Sequence, residues 1–132
     1  MTTGIPTNIN IEAQASIAMV KNQFIPVTIA YTSELAKSVS RVKEAGSSNK
    51  VQKALLDKIT GLLESASKKL DKLEAITKKA QGEKEAKAKA EIYRDDVVPA
   101  MNDLRGDIDT IETLVPSNVW PVPSYAEMLF KL

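Results

Sequence analysis

Between positions 83 and 115 an apolar series runs through Ala86, Ala90, Tyr93, Val97, Met101, Leu104, Ile108, Ile111 and Val115. Every step between them is three or four residues, so they form one stripe along the face of a single helix. Few chains can accommodate such an element. At about 1.5 Å per residue it extends roughly 50 Å, and its apolar face has to be covered by partners of similar length. The spacing therefore predicts an all-α bundle organised around this helix.

The partners lie upstream. A second helix is predicted over 49–80, with the stripe Val51, Leu55, Ile59, Leu62, Ala66, Leu70, Leu73, Ile76 and Ala80, widened by Leu56 and Leu63. Gln81-Gly82 separates it from the third helix, 83–115. A first helix is predicted over 10–45, with Asn10 as N-cap and Gly46-Ser47-Ser48-Asn49 as its end. Short connections between long helices favour antiparallel neighbours. Pro26 and Pro99 fall inside the first and third helices, so both are expected to kink there. Positions 1–9 read as a linker or as the start of a cloned fragment. Pro116, Pro121 and Pro123 end the long helix, and the capping box Ser124-Tyr125-Ala126-Glu127 starts a short one over 124–131. That tail is expected to fold back, with Trp120 against the third helix and Tyr125, Met128, Leu129 and Phe130 returned to the bundle. The expected fold is thus three long antiparallel helices, the first and third kinked at proline, plus a short C-terminal helix.

The first helix has two apolar stripes where a bundle needs one. Ile17, Val20, Phe24, Val27, Tyr31, Leu35, Val39 and Val42 form one; Ile11, Ala15, Ala18, Ile25 and Ile29 form the other. A helix apolar on two sides is either central in its own bundle or docked on something else. The second stripe is the candidate docking face, and in the isolated chain it could drive self-association.

Composition excludes most chemistry. With no histidine and no cysteine, the commonest general base, thiol nucleophiles, disulfides and thiolate or imidazole metal sites are all absent. Net charge is +1, and the lysine pairs 68–69 and 78–79 lack the arginine clusters and interleaved aromatics of nucleic-acid readers. Asp95, Asp96, Asp103, Asp107 and Asp109 lack calcium-loop spacing; Asp103 and Asp107 read as an i, i+4 pair on a solvent face. No apolar run is long enough to span a bilayer, and the start lacks a signal-peptide pattern. The expectation is a cytoplasmic protein, with no nucleic-acid or membrane partner. Charge is divided unevenly: positions 46–82 hold eight Lys against four acidic residues, a balance of +4, whereas 83–132 hold six basic against ten acidic, a balance of −4. Antiparallel packing of the second and third helices would place these opposite fields side by side.

The run Arg94-Asp95-Asp96-Val97-Val98-Pro99-Ala100-Met101-Asn102-Asp103-Leu104-Arg105, followed by Asp109, Glu112 and Trp120-Pro121-Val122-Pro123-Ser124-Tyr125-Ala126-Glu127-Met128-Leu129-Phe130, resembles the C-terminal end of type III glutamine synthetases. Asn8-Ile9-Asn10-Ile11-Glu12-Ala13, Ile25-Pro26 and Tyr31-Thr32-Ser33-Glu34-Leu35-Ala36 resemble the start of the same helical region. The resemblance implies a non-catalytic piece of a large ATP-dependent glutamate–ammonia ligase that assembles as stacked hexameric rings. ATP and the divalent metal would be bound by the upstream β-grasp and catalytic regions, leaving no cofactor here. Arg94, Pro99, Arg105, Trp120 and Tyr125 carry over only as structural positions. Implied partners are the catalytic region of the same polypeptide and neighbouring subunits; the alternative is a free-standing helical adaptor that binds a protein partner.

Overall fold

The computed structural model describes residues 5–121, with side chains from position 8 onward. Every regular element among them is helical. The first stretch comprises α1 (Ile5–Met19), a π-helical turn (Val20–Phe24) and α2 (Ile25–Glu44); then come α3 (Lys50–Gly82), α4 (Ala86–Ile92), a second π-turn (Tyr93–Val97), α5 (Val98–Leu114) and a 3₁₀ turn (Ser117–Val119). The expected linker over 1–9 is shorter, because helix begins at Ile5 rather than Asn10. Pro6 permits this, since a proline in the first turn gives up an N–H that would have had no partner there. Asn10 is consequently inside α1 and caps nothing; its Oδ1 accepts from Gln81 Nε2 at 2.8 Å.

Pro26 and Pro99 each follow a π-turn. A proline ring crowds the carbonyl four residues back and supplies no N–H to it. Widening the preceding turn shifts the hydrogen bonding: Ile25 N–H reaches back five residues to the Val20 carbonyl, and Val98 N–H does the same to Tyr93. Proline then occupies the first turn of the next α segment, where it is tolerated.

The turns match their local chemistry. α2 ends in a Schellman arrangement, Ser47 N–H to the Val42 carbonyl and Gly46 N–H to that of Lys43, with Gly46 at φ 82°. A side chain would be strained at that angle, which is why glycine ends the helix. Asn49 opens α3 without capping it; its Nδ2 donates to the Val39 carbonyl at 3.1 Å and ties the two helices across the turn. After Gly82 the chain takes three residues to turn, and Glu85, not Glu83, caps the next helix by accepting from Ala88 N–H at 2.9 Å.

The core is built from the stripes. Tyr93, Val97, Met101, Leu104, Ile108, Ile111 and Val115 are all buried, against Ala66, Leu70, Leu73 and Ala80 of α3 and Ala13, Ile17, Val20 and Phe24 of the first stretch. Both π-turns contribute to this one cluster, through Val20 and Phe24 and through Tyr93 and Val97. Covering each large side chain contributes about 1.5–3 kcal/mol before ordering costs, so the cluster is the main source of stability. Leu35 and Ile59 are buried outside it, nearer the α2–α3 turn.

Candidate docking face

The face proposed from sequence lies on α1 and the start of α2. Ile11 is 60% exposed and Ile29 53% exposed; Ala15 and Ala18 are exposed as well. Ile25 differs from the other four, being partly buried against the core. The opposite stripe is turned inward: Ile17, Val20, Phe24 and Leu35 are buried, and Val27, Tyr31, Val39 and Val42 are partly so. Thr28 joins them, its hydroxyl donating to the Phe24 carbonyl at 2.7 Å. The open strip therefore carries Ile and Ala side chains in water, with Lys21 at its edge paired to Glu74 at 3.5 Å. In a helix otherwise packed on its own core, such a strip is suited to contact with another apolar surface.

The tail is described only in part. Trp120 is partly buried against the core, and its ring partner is Phe24 of the first π-turn, with centroids 4.9 Å apart and planes at 19°. The stacking contact is thus with the first helical stretch, where sequence reasoning looked to the third helix. The reason is that the chain reverses at Pro116 and the 3₁₀ turn, which brings the indole back over the core. Tyr125, Met128, Leu129, Phe130 and the short helix expected over 124–131 lie outside the described residues.

Polar groups show what sequence reading missed. Asp107 is not on a solvent face. Its carboxylate accepts from Ser65 Oγ at 2.6 Å and Lys69 Nζ at 3.1 Å, and its side chain is only 13% exposed. The pair joins basic α3 to acidic α5 and leaves Asp103, its i−4 neighbour, exposed. The charge imbalance between the two segments was the available signal, but spacing could not select position 107. Two residues further on, Asp109 has a buried Oδ1 without a hydrogen-bond partner. Burial raises its carboxyl above the usual carboxylate range, opposed by the charge of Arg105. Thr77 Oγ1 and Trp120 Nε1 are likewise buried, with no hydrogen-bond partner among the described residues. Beside Arg94, which donates to it at 2.8 Å, Asp95 is held below the ordinary range.

Among the described residues no three His, Cys, Asp or Glu converge on a position that could hold a metal ion. No described helix is long and apolar enough to cross a membrane.

Sequence comparison finds relatives. The profile of the glutamine synthetase C-terminal domain matches residues 5–43, the stretch that carries the open strip. A glutamine synthetase of Butyrivibrio fibrisolvens is 31% identical over 127 residues, covering 95% of this chain and 18% of that protein. One from Bacteroides fragilis (strain YCH46) is 25% identical over 128 residues, covering 92% and 18%. The type-3 glutamine synthetase of Dictyostelium discoideum is 27% identical over 129 residues, covering 93% and 18%. The chain therefore spans less than a fifth of the length of these relatives. On these matches the chain is similar to the C-terminal domain of glutamine synthetases, with a type-3 enzyme among its relatives.

Proposed function

We propose that the chain is a non-catalytic structural domain of a type III glutamine synthetase, docked through its first helix on the rest of that enzyme. In this reading the whole protein is cytoplasmic and makes glutamine from glutamate, ammonia and ATP. The nucleotide and divalent metal act in the catalytic region, and the present chain contributes assembly and binds no cofactor. Its partners are the catalytic region of the same polypeptide and neighbouring subunits. The fold we infer is three long rods with antiparallel neighbours, bent at Pro26 and Pro99. Its support is the cross-helix pairing: Asn10 meets Gln81 and Lys21 meets Glu74, while Asn49 reaches Val39. As position rises along the first rod, the partner's position falls along α3.

The observation that carries the docking proposal is the open strip Ile11, Ala15, Ala18 and Ile29, with Ile25 at its inner edge, on the element that matches the family profile. The relatives' additional length supplies ample chain to cover it. The test is Ala15→Glu with Ala18→Glu. Both sites are exposed and glutamate is a good helix former, so the isolated chain should melt within about 2 °C of the parent. In the full-length enzyme the same pair should lower the proportion of assembled rings in light-scattering chromatography. Rings forming to the same extent would overturn the docking role.

A further inference from the structure

The start of α3 extends past the end of α5. Asp107 is bonded to Ser65 and Lys69, which sets position 107 level with 65–69. Resting on the antiparallel reading above, α5 then advances towards the start of α3 and finishes at Leu114, level with about position 60. By that register residues 50–59 continue for about 15 Å past the end of α5, with α2 beside them. Val51, Leu55, Leu62, Ser65 and Lys69 recur at steps of four, seven, three and four, so they lie on one face of α3, the face that α5 covers further along. Where α5 has ended, that face is open: Val51 is 79% exposed and Leu55 is only partly buried.

The chemistry of the occupant follows from what fills the same groove beyond position 60. There the basic α3 receives α5, an acidic amphipathic helix with four acidic residues against one arginine over 98–114, and the Lys69–Asp107 contact is part of that match. The open end has the same polarity: positions 33–58 contain six basic and three acidic residues, a balance of +3. A second copy would bring an equal positive charge to the contact, which disfavours self-pairing there. We propose that Val51 and Leu55 form a shelf that receives an acidic amphipathic helix from another part of the assembled protein, seated in line with α5.

The test uses fluorescence anisotropy of two labelled peptides, a Leu/Glu heptad helix and its Leu/Lys counterpart, titrated with the chain. The Leu/Glu peptide is expected to bind at least about tenfold more tightly, and Val51→Glu, at an exposed position, should remove that binding without changing the melt. Leu55→Ala should weaken it about tenfold. Equal binding of both peptides, preference for the Leu/Lys peptide, no binding, or binding that survives Val51→Glu would each overturn the shelf. So would capture of anionic phosphatidylserine vesicles that competes with the Leu/Glu peptide. Because the chain has no cysteine, Ser65→Cys with Asp107→Cys reports separately that α3 and α5 meet at this level. If that disulfide does not form, the pairing of position 65 with 107 fails and the shelf with it; if it forms and the peptide does not bind, the shelf alone fails.

Discussion

Trp120 is held by opposing effects that substitution can separate. Its ring stacks on Phe24 at 4.9 Å and lies partly buried against the core. Removing roughly 130 Å² of indole from water at about 25 cal/mol per Å² contributes about 3 kcal/mol, an upper figure that a compact unfolded state reduces to about 2. The aromatic pair adds about 0.5–1.5 kcal/mol. Against this, Nε1–H is buried without a partner among the described residues, a cost of about 1–3 kcal/mol. Trp120→Ala loses the first two contributions and escapes the third, for a net loss of about 1 kcal/mol. For a chain of this size that corresponds to a fall in Tm of about 3–5 °C. Trp120→Phe keeps an aromatic ring against Phe24 and removes the unpaired donor, so it should melt at or above the parent temperature. The assay is thermal unfolding by far-ultraviolet circular dichroism, with urea titration to confirm an unchanged m value. In the parent chain the single tryptophan gives an independent fluorescence transition that should coincide with the dichroism. A Trp120→Ala melt that matches the parent would refute the reasoning, as would a Trp120→Phe loss as large as that of alanine.

Two carboxylates give further outcomes. Burial raises the Asp109 carboxyl above its ordinary value, so the native state binds the proton more tightly than the unfolded chain. Stability is therefore lost as pH rises from the usual aspartate value of about 3.9 through the raised one, and Asp109→Asn should melt a few degrees higher at neutral pH, with the gap closing near pH 3; an equal or lower melt at neutral pH would contradict this. Asp107→Ala should cost about 1–2 kcal/mol, because Ser65 and Lys69 both lose their acceptor in a partly screened site. A double-mutant cycle between Lys69 and Asp107 should show coupling of about 0.5 kcal/mol or more, and zero coupling would mean the pair is incidental.

The parts of the fold legible in sequence are those encoded by repetition. Tyr93 to Val115 form a stripe because one face of one helix is buried, and seven successive stripe positions are buried in the structure. The same argument exposed the second stripe of the first helix, since an apolar face without a matching partner is visible as a surplus. It could not resolve Ile25 from Ile29, because the backbone between Val20 and Phe24 leaves the α repeat. Single contacts were not legible. Asp107 and Asp103 have the same chemistry and spacing, and only the position of Ser65 and Lys69 on another helix distinguishes them. The Phe24–Trp120 stack depends on where the chain reverses after Val115, which prolines announce without giving a direction. The start at Ile5 was obscured by Pro6, which reads as loop punctuation yet is equally suited to a first helical turn.

Ahead of Pro26, the widened turn acts as one residue of slippage in the helical phase. Before it, the outward side is set by Ile11, Ala15 and Ala18; after it, Ile29 faces outward while Ile25 has rotated towards the core. The strip is therefore two short lanes offset around the helix axis. A straight rod laid along the first lane would run off the second. A surface able to follow both must itself change direction opposite residues 20–24, so this one backbone irregularity gives the strip a shape as well as an apolar character.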